Sequence, residues 1–271
     1  MKILHTADWH LGQTFYEYDR REEHFHFLEW LKQQIKQHEI DVLLIAGDVF
    51  DSPNPSAESQ RVYYRFLREV TSENPSLQIV IIAGNHDSAA RLEAPNPLLE
   101  DMNIIVRGTV RRNAEGDIDL QHFIVPLYTE GKVTAYCLAV PYLRQGDYPS
   151  AENYSKGVQQ LYEQLFNKVK EKGIPVVVMG HLQATGSEIS EDDRSERTVI
   201  GGLECVSPDA FNEAITYTAL GHLHRSQRVS HRENVRYSGT PMPMSFAEKN
   251  NASGVVMITI DTEGTNIEKL E

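Results

Sequence analysis

The sequence has too little cysteine to build a scaffold from. Its two cysteines, Cys137 and Cys205, stand far apart and offer neither a disulfide framework nor the paired spacing of a thiolate zinc site, so both read as buried or semi-buried free thiols. Long apolar runs are missing as well. Nothing approaches the roughly 18 consecutive apolar residues that cross a bilayer, and the opening strand is broken at once by His5, Asp8 and His10, which excludes a signal-peptide core. The expectation is a cytoplasmic protein with no membrane partner. Positive charge is also short, with 26 Lys and Arg against 39 Asp and Glu and a net charge of −13. That balance argues against a nucleic-acid partner, but two features weaken it. Part of the acid is local, in "SEISEDDRSE" at 187–196, which reads as a solvated loop. Bound divalent cations would also reverse the field around any carboxylates that ligate them.

What is present is ordinary globular material. A hydrophobic content of 40% over 271 residues supports one large core. Residues 2–6 read as a strand, and 22–38 as an amphipathic helix carrying Phe25, Leu28, Leu31 and Ile35 at near-helical spacing. The continuous apolar run at 42–46 suits a strand covered on both faces. A second helix fits 57–71, with Val62, Phe66 and Val70 on one face, and a third strand fits "LQIVIIAG". Beyond it come a helical stretch at 89–101 interrupted by Pro95 and Pro97, a short strand in "NIIVRG", and two strands turning at Glu130 and Gly131. A helix at 152–172 and strands in "IPVVVMGH", "ITYTALGHLH", "NVRYSG" and "GVVMITID" complete the chain. There is no internal repeat or low-complexity linker, so one three- or four-layered α/β domain is the economical reading, with a boundary near residue 110 left open.

The chemistry gathers where strands end. Asp8 and His10 in "ADWH", Asp48 and Asp51 in "GDVFD", Asn85, His86 and Asp87 in "GNHD", His181 in "MGH", and His222 and His224 in "GHLH" each follow an apolar strand. Loops at the carboxyl ends of strands converge on the ligand crevice of an open α/β sheet. Residues i and i+2 of an extended segment share a direction, so Asp8 with His10, and His222 with His224, are expected to act as pairs. Imidazole, carboxylate and amide oxygen without thiolate suit manganese, iron or zinc in five or six coordination. Asp8, His10, Asp48, Asn85, His181, His222 and His224 are too many ligands for one ion. A bridging carboxylate between two cations resolves the count, and such pairs serve phosphoryl displacement. Taken singly, a D-x-H or an H-x-H is more often a structural pair; it is the whole series at strand ends that points to metal. His5, His24, His26, His38, His122 and His231 lack that context and read as packing or surface residues.

In this order, D-x-H, G-D-x-x-D, G-N-H-D, G-H and G-H-x-H resemble the calcineurin-like metallophosphoesterase superfamily. The longer stretches "ILHTADWHLGQ", "LLIAGDVFD" and "IIAGNHDS" are similar to the bacterial SbcD nuclease subunits of SbcCD complexes, relatives of the Mre-type DNA double-strand-break repair nucleases. The resemblance implies a layered β-sandwich flanked by helices and a two-metal DNA nuclease, exonuclease and endonuclease including hairpin cleavage, acting in recombination, replication and repair. It implies that Asp8, His10, Asp48 and His224 hold one ion and that Asp48, Asn85, His181 and His222 hold the other, most often manganese, with Asp48 bridging. His86 would face the scissile phosphate and help protonate the leaving oxygen, while water activated by the cations attacks in line. Asp51 would accept a hydrogen bond from His86, and Asp87 would be a partner of the site or merely a cap or turn residue.

The implied partners are DNA, the SbcC ATPase and a second copy of the chain. The copy would pair through helices at 56–70 and 91–99, with Val62, Tyr63, Phe66, Leu98 and Leu99 as apolar surface, although core packing explains Val62 and Phe66 equally well. Arg107, Arg111 and Arg112, or Arg225, Arg228, Arg232 and Arg236, would track backbone phosphates. Since the family continues into a capping domain and an SbcC-binding helical segment, residues 1–271 are expected to be a nuclease domain lacking much or all of these. Two other readings stay open on the metal motifs alone: a small-molecule phosphodiesterase or phosphatase, and a non-catalytic scaffold on the same fold.

Overall fold

The computed structural model describes residues 1–187 and 205–271, so most of the acidic stretch at 187–196 lies outside the described residues. Strand β1 (Lys2–Thr6) leads through a small hairpin, β2 (Thr14–Phe15) and β3 (Tyr18–Asp19), into α1 (Arg21–His38). There follow β4 (Val42–Ala46), α2 (Ala57–Glu73), β5 (Gln78–Ile82), two short helices, α3 (Ala89–Glu93) and α4 (Asn96–Leu99), and β6 (Ile104–Arg107). The later part holds α5 (Leu120–Phe123), β7 (Ile124–Thr129), β8 (Lys132–Ala139), α6 (Tyr154–Val169), β9 (Val176–His181) and β10 (Tyr217–Gly221). It ends with β11 (Gln227–Val229), β12 (Arg232–Tyr237), β13 (Val255–Asp261) and β14 (Gly264–Leu270).

Two six-stranded sheets result, in the orders β14-β13-β1-β4-β5-β6 and β11-β12-β10-β9-β8-β7. The neighbouring pairs from β1 to β6 in the first sheet, and those linking β12, β10, β9 and β8 in the second, are parallel. Alternation along β4 explains the layering. Val42, Leu44 and Ala46 join Ile3, Val80 and Ile82 in a core shared with Val125, Cys137, Val177 and Met179 of the second sheet. Leu43 and Ile45 belong instead to the core formed with Leu31 and Ile35 of α1 and Phe66 and Val70 of α2. The second sheet buries Val178 and Leu220 with Val158, Leu161 and Leu165 of α6. The order is therefore helix, sheet, sheet, helix, and both faces of β4 are covered, which is why its sequence is continuously apolar. Each such buried side chain contributes about 1.5–3 kcal/mol.

His5 ties the sheets together. From β1 it accepts the Tyr217 hydroxyl proton at Nδ1 (2.9 Å) and donates from Nε2 to the Leu220 carbonyl of β10 (3.2 Å); burial lowers its pKa to about 3 and keeps it neutral. The chain leaves the first sheet between β6 and β7, around residue 110, and returns to it between β12 and β13, and the two sheets share a core. At the β7–β8 turn Glu130 and Gly131 both have positive φ, 51° and 75°, as a two-residue type I′ hairpin requires. Cys137 is buried and Cys205 partly so, both free. The β2–β3 hairpin, β11 and β14 are additions to the elements expected from the sequence. β14 pairs with β13 from Val255↔Leu270 to Asp261↔Gly264 but is a largely polar edge strand without the alternation that reveals a strand in sequence. Among the described residues no helix is long and apolar enough to cross a membrane.

The surface expected for a second copy differs. Val62, Tyr63, Phe66 and Leu99 are buried in the chain's own core, and of the five residues only Leu98 is exposed, at 75%. The helical periodicity of α2 is used on its own sheet, leaving no apolar face of the expected composition.

Glu93 closes the edge of the first sheet. Its Oε2 accepts the Gly108 and Thr109 amides (2.9 and 2.8 Å) and the Thr109 hydroxyl (2.9 Å), and its Oε1 accepts from Arg111. Burial opposes ionisation, but the bonds from Thr109, Arg111 and Gly108 outweigh it and hold the carboxyl below its usual range. A carboxyl depressed in the folded state stabilises above its unfolded pKa and loses that contribution as pH falls through the folded one. Glu93→Gln should therefore lower the melting temperature at neutral pH and make its decline below about pH 4.5 shallower; melting curves from pH 7 to 3 check this, and parallel curves would contradict it.

Candidate metal centre

The centre is built at the carboxyl ends of β1, β4, β5, β9 and β10. The segment after β1 is zipped along the one after β4: Asp8 N–H donates to Gly47 O (3.0 Å), His10 N–H to Asp48 O (3.0 Å) and Leu11 N–H to Val49 O (2.9 Å). Asp8 and His10 are not presented by an extended strand, as their spacing suggested. Their φ values are 55° and 46°, and Asp48 and His222 also lie at positive φ, 49° and 103°. Such conformations cost about 1–3 kcal/mol each and persist only where the surroundings over-determine them. Trp9 does much of this. It is wholly buried, donates from Nε1 to Thr6 Oγ1 (2.9 Å) and packs edge-on against Phe27 and Phe66, while His24 of α1 donates from Nε2 to its carbonyl (3.1 Å). Anchoring the middle residue in the core leaves Asp8 and His10 to serve the centre.

One group of donors surrounds Asn85. His181 donates from Nδ1 to the Ala46 carbonyl (2.8 Å), which leaves its Nε2 facing Asn85 Oδ1 (3.0 Å) and Asp48 Oδ2 (3.2 Å). His222 Nδ1 lies 3.0 Å from the same Asn85 oxygen, and its backbone N–H donates to both Asp8 carboxylate oxygens (3.0 and 3.2 Å). An imidazole lone pair, an amide oxygen and a carboxylate oxygen facing one another repel unless something positive sits between them. In the ion-free protein a proton supplies it: burial would lower the pKa of His181, but Asp48 pulls it up to about 9.

The second group is Asp8, His10 and His224, whose ligand atoms lie within 4.8 Å of one another, as do those of Asp8, Asp48 and His181 and those of His10, Asp48 and His86. Among the described residues His10 Nε2 is buried without a hydrogen-bond partner, 3.9 Å from Asp48 Oδ2, while its Nδ1 lies 3.3 Å from Asp51 Oδ1. Glu248 Oε1 accepts from His224 Nδ1 (2.9 Å), and Glu248 Oε2 accepts the Met244 amide (2.8 Å). An orphaned imidazole nitrogen and a second imidazole oriented by a buried carboxylate are the marks of a histidine metal site. The two donor sets, hard oxygen and borderline nitrogen with Asp48 beside both, fit a pair of divalent cations.

The charges are balanced tightly. Burial opposes ionisation of Asp48, yet His181, His10 and His86 hold its carboxyl far below the usual range. Burial and the neighbouring Asp48 raise Asp8 to about 6, with His181 working the other way. Burial and the charge of His181 bring His222 down to about 3.

Sequence reasoning missed Glu248, a single glutamate in the short 3-10 helix Ala247–Asn250 with no motif spacing to mark it. Asp87 proves to be more than a cap: its carboxylate accepts the Val49, Phe50 and Gly84 amides (3.2, 3.0 and 2.9 Å), joining the loops after β4 and β5. Asp51 departs from expectation. His86 Nδ1 donates to the Asp51 backbone carbonyl (3.0 Å), and it is His10 that faces the Asp51 carboxylate. The arginine tracks are largely committed elsewhere: Arg111 to Glu93, Arg228 and Arg236 to Glu233, and Arg107, Arg112 and Arg232 to backbone carbonyls. Clustering in sequence did not mean clustering of unpaired charge.

Gly84 is indispensable for steric reasons, since a Cβ there would lie 2.1 Å from Asp48 Oδ1 and 2.4 Å from its backbone nitrogen. Gly84→Ala should push Asp48 aside and lower manganese affinity at least tenfold. Glu248→Gln, which keeps the shape but not the charge behind His224, should lower it by about 10- to 100-fold. Isothermal titration reads both; unaltered affinity in either variant would remove that residue's assigned part.

The family profile described as calcineurin-like phosphoesterase matches residues 1–226. The SbcD subunit of the SbcCD nuclease from Rhodobacter capsulatus is 40% identical over 96% of this chain and 66% of its own length. The Escherichia coli K12 counterpart is 32% identical over 96% and 65%, and that of Bacillus subtilis 30% identical over 95% and 66%. The chain thus spans about two thirds of the length of these relatives. Among solved structures, a dimetal phosphatase from Danio rerio aligns with a TM-score of 0.52 and 12% identity, covering 99% of this chain and 95% of its own. GAP50, the anchor in the inner membrane complex of Plasmodium, aligns at 0.56 and 10%, covering 100% and 84%; at these identities the likeness shows the fold. The fold, the motif series and the profile agree, and the chain belongs to the calcineurin-like phosphoesterase family, with SbcD nuclease subunits among its relatives.

Proposed function

We propose that this chain is the catalytic domain of a two-metal DNA nuclease of the SbcD kind, hydrolysing phosphodiester bonds in exonucleolytic and endonucleolytic modes, hairpins included. One observation carries the reading: Asp8, His10, Asp48, Asn85, His181, His222 and His224, drawn from two sheets, gather around Asp48, and His86 stands beside them with its own anchor. Asp8, His10, Asp48 and His224 would hold one cation and Asp48, Asn85, His181 and His222 the other, with manganese as the proposed ion. Two divalent cations supply Lewis acidity to the phosphoryl oxygens and a nucleophile at neutral pH.

The chain's own residues supply the rest. Asp48 keeps its charge at neutral pH and so stays a ligand. The Ala46 carbonyl and Glu248 fix the ring orientations of His181 and His224. His86 is partly exposed, with Nδ1–H on the Asp51 carbonyl, so the proton it exchanges is carried on Nε2. A histidine so held donates to the oxygen of the departing sugar, a contribution of about 10²–10⁴-fold for general acid catalysis.

The relatives' names, as subunits of an SbcCD nuclease, support an SbcC-type ATPase partner and DNA as substrate. Recombination and repair as the context and the cytoplasm as the compartment complete the proposal. Two copies would pair through a surface other than the buried α2 residues Val62, Tyr63 and Phe66.

His86→Ala should keep both manganese equivalents and lose at least 100-fold in kcat on DNA, whereas loss of metal together with activity would remove its assigned role. Activity should be compared on linear, hairpin and circular DNA, an aryl phosphodiester and an aryl phosphomonoester. Cleavage of DNA and diester in manganese is expected; strong monoesterase activity with no DNA cleavage would replace the nuclease reading with a phosphatase one.

A further inference from the structure

The short hairpin β2–β3 leaves the metal centre directly after His10 and Leu11, and its turn is unusual. Tyr16 and Glu17 both have positive φ, 47° and 72°, a type I′ geometry that Asn-Gly adopts freely and that a tyrosine adopts at a cost. The strain projects an aromatic ring into solvent: Tyr16 is 70% exposed. Against it stands Phe246, 64% exposed, two residues before the Glu248 that orients His224. The Tyr16 and Phe246 centroids are 5.3 Å apart with planes tilted by 36°, and Phe15 contacts both at 4.9 Å.

The platform is braced from beneath. The Arg20 guanidinium lies 5.5 Å from the Phe15 ring centroid and donates to Gln13 Oε1 (2.9 Å) and to the Pro243 carbonyl (2.7 Å). The hairpin that follows His10 and the segment leading into the short 3-10 helix Ala247–Asn250, which carries Glu248, are thus locked together, and Glu248 ties that segment to His224.

We propose that Tyr16 and Phe246 form a stacking platform for an unpaired nucleobase of the DNA strand whose phosphate enters the centre. This rests on the nuclease reading above. Two observations favour a base over another occupant. The platform is tied to the proposed ligands from both sides, Tyr16 through the hairpin that follows His10 and Phe246 through the neighbouring Glu248, whose carboxylate accepts from His224 (2.9 Å). The charge balance also favours a neutral contribution to attachment: the net charge is −13, and most of the clustered arginines are paired with acids or carbonyls of the chain. Stacking on aromatic faces is not opposed by an acidic field and tolerates any sequence, as a general nuclease needs. Holding one base out of the duplex would bring the adjoining phosphate down to the cations.

The test compares two single-stranded oligonucleotides, one normal and one with an abasic nucleotide at the end being cut, under manganese. The wild-type chain should cleave the normal strand with kcat/KM at least about fivefold above the abasic one. In Tyr16→Ser/Phe246→Ser the ratio should collapse towards one, with two manganese equivalents still bound, and Tyr16→Trp in the wild-type background should preserve it. A wild-type ratio near one, or a ratio that survives the double substitution, overturns the platform while leaving the nuclease reading intact; the same holds if the substitutions only weaken association with an ATPase partner. A wild-type chain that hydrolyses an aryl diester but neither oligonucleotide overturns the nuclease reading and the platform with it.

Discussion

The carboxylate of Asp48 is the point on which the centre turns. It is 1% exposed and ionised, and a buried charge costs several kcal/mol unless opposite charge and hydrogen bonds surround it. Its Oδ1 accepts the His86 amide (2.9 Å), and its Oδ2 faces His181 and His10. Every other feature of the site serves that arrangement. The Ala46 carbonyl, Glu248 and the Asp51 carboxylate each stand behind one imidazole, so rings that would otherwise rotate keep a nitrogen turned inward. Asp8 and Asp87 are both raised to about 6 by burial, with Asp48's charge adding to the shift. Three acids so close cannot all ionise cheaply without cations, so cation binding at such a site also stabilises the folded state.

The second constraint is the closeness of the two sheets. Asp8, His10, Asp48 and Asn85 come from the first, and His181, His222 and His224 from the second, so how closely the ends of the layers approach decides whether the donor groups meet. Small residues set it. A Cβ at Gly221 would lie 2.0 Å from the Ala46 carbonyl and 2.8 Å from His181 Nδ1, which shows how tightly the end of β10 approaches the end of β4. The larger residues of the shared core, Val42, Val80, Val177 and Met179, are buried completely and resist compression at the density of protein interiors. Strained backbone at Asp8, His10, Asp48 and His222 is thus held by rigid layers, whose packing energy greatly exceeds the strain.

Much of this could be read from the residues. Continuous apolar runs such as Val42 to Ala46 announce strands covered on both sides, and the polar residues that terminate them announce where the loops gather. The spacing of Asp8 and His10 was legible as a pair, though for a different reason than alternation along a strand: Trp9 is drawn into the core and the backbone turns left-handed on either side of it. Glu248 and the backbone carbonyls of Ala46 and Asp51 were not legible, since a carbonyl carries no residue identity and one glutamate among many carries no spacing. The arginines misled for a related reason. Sequence shows charges but not their partners, and Glu233 alone engages both Arg228 and Arg236. Amphipathic α2 left two coverings open, a second copy or the chain's own core, because periodicity shows that a face is covered but not by what; Val62 and Phe66 lie in the core.

If DNA is the substrate, as proposed above, an acidic chain gains much of its attraction for that polyanion at short range. Long-range steering and counterion release depend on unpaired basic residues, and here those of the two arginine clusters are mostly spent on structure. Among the described residues, the centre offers the positive charge that bound cations would bring and the exposed faces of Tyr16 and Phe246, the rings acting only on a strand that has already arrived. On the nuclease reading and the stacking platform proposed above, such a domain would discriminate through the fit of one phosphate and its neighbouring base rather than by gripping a length of duplex. Delivery of the strand would then fall to regions or partners beyond the centre, in keeping with relatives whose chains are half as long again and whose names place them in a two-component nuclease.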